Sequence, residues 1–168
     1  TKTFRGLVAT SAIDFAIADG DSTFNPLRLV EGQWPGPAQV VIDSGLAKKK
    51  DFAIGDEIGL LVDVNNGYSA NRAIEIGRRL RDEYNVLFYE DPVSDQTDRE
   101  LRTVTDAVAV PVIAGEKEYT RFQFRDLIVE GNPDVINPDI LKVGGMTEMR
   151  RIAVLAQAYQ KLIIPHNT

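Results

Sequence analysis

Four acidic residues and the only histidine of the chain each follow a short apolar segment. In chain order they are Asp63, Glu90, Glu116, Asp139 and His166. The intervals between neighbours in this series are 27, 26, 23 and 27 residues. One strand, one helix and two short loops occupy a similar length. The spacing therefore predicts five strands separated by helices, with a polar residue at the end of each strand.

This alternation of strands and helices predicts a parallel sheet with its polar residues on one rim. Consecutive βα units in a sheet run parallel and cross over with the same hand, so the groups at their carboxyl ends emerge on the same side. We therefore expect an α/β fold in residues 58–168, a partial (β/α) TIM-type barrel of about five βα units. Five strands do not close a barrel that needs eight, and the open strand edges predict a homo-oligomer.

The first three acids of the series form a candidate metal site. Asp63, Glu90 and Glu116 would end three successive strands and offer hard oxygen ligands. Because the chain has no cysteine and no second histidine, this donor set favours Mg²⁺ over Zn²⁺. A divalent cation also offsets the repulsion between adjacent carboxylates. The alternative is that these acids cap the following helices or lie in solvent, but the even spacing of all three favours the metal site.

Asp139 and His166, on the next two strand ends, form a candidate catalytic pair. A neighbouring carboxylate holds an imidazole in one tautomer and makes it a general base near neutral pH. A base beside a divalent cation is suited to abstraction of a proton α to a carboxylate, because the cation stabilises the charge that develops. The pair thus predicts a small carboxylate substrate. The alternative is that His166 is an ordinary loop residue.

Apolar residues at helical spacing fill the intervals between the predicted strands. The first helix follows Ser69 as its cap and presents Ala73, Ile76 and Leu80 as one stripe. Three further helices show the same pattern, with stripes at Leu101, Val104 and Val108, at Phe124, Leu127 and Ile128 after Thr120, and at Met149, Ile152, Ala156 and Tyr159 after Thr147. Such stripes predict helices that pack on the sheet.

Residues 1–57 do not follow this rhythm and predict a small β-rich module before the barrel. Short candidate strands, Thr3–Ala9, Leu27–Val30 and Gln39–Ile42, are separated by turn-rich segments. A short helix is predicted over Ser44–Lys50, with Asp43 or Ser44 as its cap. The chain is thus predicted to have two domains, 1–57 and 58–168.

The composition excludes several classes of partner. The 168 residues carry a formal net charge of −6, which argues against nucleic acid and anionic membranes, since both require a basic surface. The absence of cysteine excludes disulfides and thiolate metal sites. The longest apolar stretch near the start is interrupted by Asp14 and is too short to span a bilayer, so no membrane span is predicted.

Five ordered motifs resemble the enolase superfamily in its mandelate racemase branch. They are Val62-Asp-Val-Asn65, Tyr89-Glu-Asp-Pro92, Ala114-Gly-Glu116, Asn137-Pro-Asp-Ile-Leu-Lys-Val-Gly-Gly145 and Pro165-His-Asn167. The resemblance implies that Asp63, Glu90 and Glu116 bind Mg²⁺ and that Asp139 and His166 form the base. It also implies acid-sugar dehydration or racemisation of 2-hydroxy acids, in the cytoplasm. The family's Lys-x-Lys pair has no counterpart on a strand before Asp63.

The N-terminal third resembles a different family, the extracytoplasmic domain of macrolide-export and lipoprotein-release type ABC transporter permeases. The residues that carry this resemblance are Asn25-Pro-Leu-Arg-Leu-Val-Glu-Gly-Gln-Trp-Pro35, Val40-Val-Ile-Asp-Ser-Gly-Leu-Ala47 and Ile54-Gly-Asp56. It implies a protein-contact module without catalysis. The alternative function is therefore a catalytically silent hybrid or fragment whose β-rich module binds a protein partner. This resemblance implies a location outside the cytoplasm.

Overall fold

The structure is a computed structural model that describes residues 30–32, 44–56, 59–94 and 97–166. The chain divides into two compact units, Thr1–Gly59 and Leu60–Thr168. In the first unit, helix α1 spans Ser44–Lys50, as the sequence predicts. The predicted strands Thr3–Ala9 and Gln39–Ile42, and Leu27–Val30 apart from Val30, lie outside the described residues. The predicted boundary between residues 57 and 58 stays a prediction.

The second unit is an α/β fold built on five parallel strands. The strands are β1 (Leu61–Asp63), β2 (Phe88–Glu90), β3 (Val112–Ala114), β4 (Val135–Ile136) and β5 (Leu162–Ile163). They lie side by side in chain order, and each pairs in parallel with the next. This is part of a TIM-type barrel, as predicted, and it places all five carboxyl ends on one rim.

A helix follows each of the first four strands. They are α2 (Ala70–Asp82), α3 (Asp98–Thr105), α4 (Arg121–Asp126) and α5 (Met146–Ala158). Helix α4 continues into a π-helical turn, Leu127–Gly131, which the sequence does not predict. Among the described residues, no helix is long and apolar enough to cross a membrane.

The hydrophobic core lies between the sheet and these helices. Tyr89 and Val112 are fully buried there, together with Ala73 of α2 and Phe124 of α4. Helix α2 packs tightly at Gly77, where an added Cβ would lie 2.8 Å from the Val108 side chain and 3.3 Å from the Tyr89 ring. Because successive residues of a strand point to opposite faces, the neighbours of these core residues face the other side of the sheet, Glu90 among them.

Three strands end earlier than the sequence predicts. Strand β3 ends at Ala114, two residues before Glu116, because Gly115 leaves the extended conformation with φ +125°. Strands β4 and β5 each end three residues before their polar residue, Asp139 and His166. These two residues nevertheless form an isolated parallel bridge. The sheet therefore still sets their relative position, although both lie in loops.

Candidate active site at the strand ends

His166 and Asp139 are in direct contact. The ring Nδ1 of His166 lies 3.0 Å from Oδ2 of Asp139. The other oxygen, Oδ1, accepts hydrogen bonds from the backbone N–H groups of Leu141 at 2.7 Å and Lys142 at 3.1 Å. The hydrogen bond from His166 and those from the backbone hold the pKa of Asp139 below its usual range. Asp139 is therefore a fixed carboxylate that orients the imidazole.

Glu116 contacts the opposite side of the same imidazole. Its Oε2 lies 2.8 Å from Nε2 of His166, and its side chain is buried. The ring thus lies between two carboxylates, which a doubly protonated imidazolium satisfies at both nitrogens. The sequence assigned Glu116 to the metal and His166 to proton transfer, and it gave no indication that the two would touch. For Nε2 to accept a proton from a substrate, this contact has to open.

Glu90 is the last residue of β2 and is buried against Asn137. The amide Nδ2 of Asn137 donates a hydrogen bond to Oε1 of Glu90 at 2.5 Å. Burial raises the pKa of Glu90, and the negative charges of Asp63 and Glu116 raise it further. The hydrogen bond from Asn137 acts in the opposite direction. Glu90 is therefore a carboxylate whose ionised form a nearby cation would stabilise.

Asp63 lies beside Glu90 but turns toward its own loop. The two residues are direct neighbours in the register of β1 and β2, and the Asp63 charge acts on Glu90. The Oδ1 atom of Asp63 accepts a hydrogen bond from the backbone N–H of Asn65 at 2.8 Å, and the side chain is exposed. Asp63 thus has the local turn contact that a solvated acid at a strand end would make.

The donor set fits Mg²⁺ in its chemistry and position, but not in the side-chain arrangement described. Across the described ranges, no group of three or more Asp, Glu or His side chains lies where it could hold a metal ion. The three predicted ligands are engaged instead by Asn65, Asn137 and His166. They are still oxygen donors at three adjacent strand ends, the donor class that Mg²⁺ prefers. Rotation of Asp63 and Glu116 away from these partners would be needed to form the site.

Sequence reasoning missed a lysine that links the same strand ends. The Nζ of Lys117 donates a hydrogen bond to Oδ1 of Asn65 at 3.0 Å and lies 3.7 Å from Oε1 of Glu116. It also lies 3.9 Å from Oδ2 of Asp91, which is buried. Burial, and then the charge of Glu116, raise the pKa of Asp91 to about 7, and Lys117 opposes that shift. The available signal was position alone, since Asp91 and Lys117 directly follow Glu90 and Glu116.

Asn137 belongs to one of the five motifs but was not predicted as a site residue. Its signal was a polar residue directly after β4, two positions from Val135, where a continued strand would face the same side as Val135. Two further motif residues lie at the site. The side chain of Asn65 accepts a hydrogen bond from Lys117, and the backbone N–H of Lys142 donates one to Asp139. Gly144 and Gly145 adopt φ +87° and +102°, a conformation that glycine tolerates, and they lead into α5.

Comparison with known proteins gives one consistent family. Residues 39–168 match the family described as Enolase C-terminal domain-like. The chain is 32% identical over 114 residues to an arabinonate dehydratase of Saccharolobus solfataricus, which covers 67% of this chain and 30% of that protein. It is 34% identical over 115 residues to a D-xylonate dehydratase of Haloferax volcanii, with 68% and 28% covered.

A solved structure agrees with these matches. The mandelate racemase/muconate lactonizing protein from Paracoccus denitrificans, complexed with magnesium, is 36% identical with a TM-score of 0.63. The match covers 66% of this chain and 30% of that one. The chain thus spans about a third of the length of such relatives, which include acid-sugar dehydratases.

Nothing in these comparisons supports the permease-like module. Residues 39–57, which were predicted to belong to it, lie inside the family match instead. That resemblance rested on short runs of apolar and turn-forming residues, which many folds share. The family match, the parallel sheet and the five motifs agree, and the chain belongs to the mandelate racemase/muconate lactonizing C-terminal domain family of the enolase superfamily.

Proposed function

We propose that this chain provides a magnesium-dependent site that removes the proton α to the carboxylate of an acid sugar or a 2-hydroxy acid. One observation carries the proposal. His166 is oriented by Asp139 at Nδ1 and directs Nε2 at Glu116, a candidate metal ligand. A base and a metal ligand in contact place proton removal and charge stabilisation at the same point.

The residues divide into two groups by role. Asp63, Glu90 and Glu116 would hold Mg²⁺ through carboxylate oxygens once Asp63 and Glu116 turn away from their present partners. When bound, the ion supplies stabilisation of the negative charge that develops on the substrate carboxylate. Burial of Glu90 and Glu116 excludes water and strengthens these electrostatic interactions.

His166 acts as the base after Glu116 has released it. The hydrogen bond to Asp139 keeps the remaining ring proton on Nδ1, so the Nε2 lone pair accepts the α proton of the substrate. The resulting imidazolium is stabilised by the Asp139 carboxylate. In a dehydration, the imidazolium then returns the proton to the leaving hydroxyl, which departs as water. A racemisation would also require a second acid that delivers a proton to the opposite face of the α carbon, since return from the same imidazolium restores the original configuration.

Acid sugars are the favoured substrates because the curated relatives named above act on arabinonate and D-xylonate, as their names state. The location that goes with this proposal is the cytoplasm. A small anionic substrate is also more consistent with the acidic chain than nucleic acid is, since the bound cation offsets the local negative charge. The competing hypothesis is a catalytically silent chain that retains the residues without turnover.

The metal site is tested by isothermal titration calorimetry with Mg²⁺. We expect binding by the natural sequence and weaker binding by Asp63→Asn and Glu90→Gln, because each variant removes one anionic ligand. Arg72→Gln, on the exposed surface of α2, serves as the control and should bind as the natural sequence does. Unchanged affinity in both acidic variants would contradict the proposed ligands.

The base is tested by turnover across a panel of acid sugars. We expect at least one sugar acid to be converted and His166→Asn to abolish the conversion, since an amide cannot accept the proton at neutral pH. Turnover that survives in His166→Asn would contradict the assigned base. A chain that binds Mg²⁺ but converts no member of the panel would favour the silent hypothesis.

A further inference from the structure

We propose that Asn137 is a positioning residue that fixes the carboxylate of Glu90 for the cation, a role that rests on the proposed function. Asn137 follows β4 and Glu90 ends β2, so their hydrogen bond crosses the intervening strand β3. The donor is Nδ2, the acceptor is Oε1, and the distance is 2.5 Å. The contact therefore ties a candidate ligand to a second, non-adjacent strand.

Stability of the fold does not explain an asparagine at this position. The side chain is only 2% exposed, and its Oδ1 has no hydrogen-bond partner within the part of the chain that the structure describes. A buried amide oxygen without a donor is unfavourable compared with an apolar side chain. Ile113 and Val135, which pair across β3 and β4, show that apolar residues are accommodated nearby. Among the described residues, the one hydrogen bond that the Asn137 side chain makes is to Glu90.

A neutral donor suits this task better than a charged one. The carboxylate of Glu90 is repelled by Asp63 and Glu116, so its orientation needs a fixed partner. Lysine or arginine would hold it, but would also add a positive charge that competes with a cation for the same oxygens. The amide of Asn137 fixes Oε1 and leaves Oε2 and the full negative charge for the ion. Residues that orient metal ligands in this way often control metal affinity.

Calorimetric titration of the full chain with Mg²⁺ tests the role directly. We expect Asn137→Leu to raise the Kd for Mg²⁺ by about 10-fold or more, since loss of a ligand's hydrogen-bond partner typically has an effect of about this size. The matched control is Val135→Ala, which perturbs packing on β4, two residues before Asn137, without removing a hydrogen-bond donor. It is expected to keep the Kd within about twofold, a change too small to indicate lost ligand positioning.

Two results would overturn the role of Asn137 while leaving the metal site intact. One is a Kd for Mg²⁺ in Asn137→Leu that equals the Kd of the natural sequence. The other is an equal loss of affinity in Val135→Ala, which would show that packing and not the amide matters. A natural sequence that binds no Mg²⁺ is a different failure, because it contradicts the proposed function itself.

A double-mutant cycle without metal tests whether Asn137 and Glu90 interact, whether or not the chain binds Mg²⁺. Thermal unfolding in EDTA is measured for Asn137→Leu, for Glu90→Met and for the double variant. If the two side chains act together, the shift in Tm caused by Asn137→Leu is clearly smaller in the Glu90→Met background than in the natural sequence. Equal shifts in the two backgrounds would mean that the residues are independent, and the inference would fall.

Discussion

At the scale of single residues, the site is a set of carboxylates held by specific partners. Asp139 and Glu116 flank His166, while Asn137 holds Glu90. Each of these contacts joins residues that are 27 or more positions apart in the chain. The proposed chemistry therefore depends on contacts between pairs of side chains, and a substitution of either partner tests the contact.

Substitution of Asp139 by asparagine should reduce proton abstraction strongly. The amide no longer requires a proton on Nδ1, so the imidazole loses its fixed tautomer and the stabilisation of its charged form. We expect the exchange of the substrate α proton in D₂O, followed by NMR, to slow by about 10²- to 10⁴-fold. Asp82→Asn, at the exposed end of α2, is the control and should exchange at the natural rate. Equal rates in both variants would exclude Asp139 from the mechanism.

The buried carboxyl of Asp91 predicts a pH-dependent stability. Its pKa is raised to about 7 in the folded chain, whereas an unfolded aspartate has a pKa of about 3.9. Between these values the folded chain binds more protons than the unfolded chain, so stability falls as the pH rises through this window. An asparagine cannot ionise, so Asp91→Asn removes the loss of stability that ionisation of Asp91 causes. The variant should match the natural sequence near pH 4 and exceed its free energy of unfolding at pH 8 by up to roughly 4 kcal/mol.

Urea unfolding in EDTA at several pH values measures this effect. EDTA keeps any bound cation from stabilising the ionised form, which would hide the dependence. Asp82→Asn is again the control, because its carboxyl is exposed. If the free energies of unfolding of the natural sequence and of Asp91→Asn change in parallel between pH 4 and pH 8, the raised pKa of Asp91 is wrong.

At the scale of elements, helix starts and strand ends place the functional loops. Thr120 begins α4 with a complete capping box, in which its hydroxyl accepts from the backbone N–H of Gln123 and the Gln123 side chain accepts from the backbone N–H of Thr120. Helix α5 starts differently, at Met146 after Gly145 as its N-cap, although the sequence predicts a start after Thr147. The loop that carries Glu116 is therefore bounded by Gly115 on one side and the Thr120 cap on the other.

Removal of the Thr120 cap should destabilise the fold modestly. Thr120→Ala loses the side-chain half of the capping box, which typically contributes about 1 kcal/mol. For a chain of this length, we expect Tm to fall by roughly 2–4 °C in differential scanning calorimetry. Thr147→Ala is the matched control, because Thr147 lies inside the exposed first turn of α5 and does not cap it. A larger fall in the control than in Thr120→Ala would contradict the assignment.

At the scale of the whole molecule, the described sheet has two open edges, β1 and β5. On β5, Leu162 is 65% exposed and the nearby Ile164 is also exposed. An edge strand with apolar side chains and unpaired backbone groups is a site for pairing with another chain. The homo-oligomer predicted from the sequence stays a prediction, and this edge is where it can be tested.

Leu162→Lys should weaken self-association. A charge on an edge strand opposes pairing and costs desolvation when the edge is buried. We expect sedimentation velocity at high concentration to show a larger fraction of monomer for this variant than for the natural sequence. Leu141→Lys is the control, since Leu141 is 79% exposed but lies in the loop after β4. A natural sequence that stays monomeric at high concentration would remove the prediction.

The sequence by itself determined the order of strands and helices and the five polar residues that follow the strands. Spacing and hydrophobic periodicity are local properties, so β2 ends at Glu90 and α1 spans Ser44–Lys50 as predicted. Only the tertiary structure decided which of these residues touch. Contacts of Glu116 with His166, and of Glu90 with Asn137, join side chains from different strands. Their rotamers depend on burial, charge and neighbouring loops, which no spacing along the chain encodes.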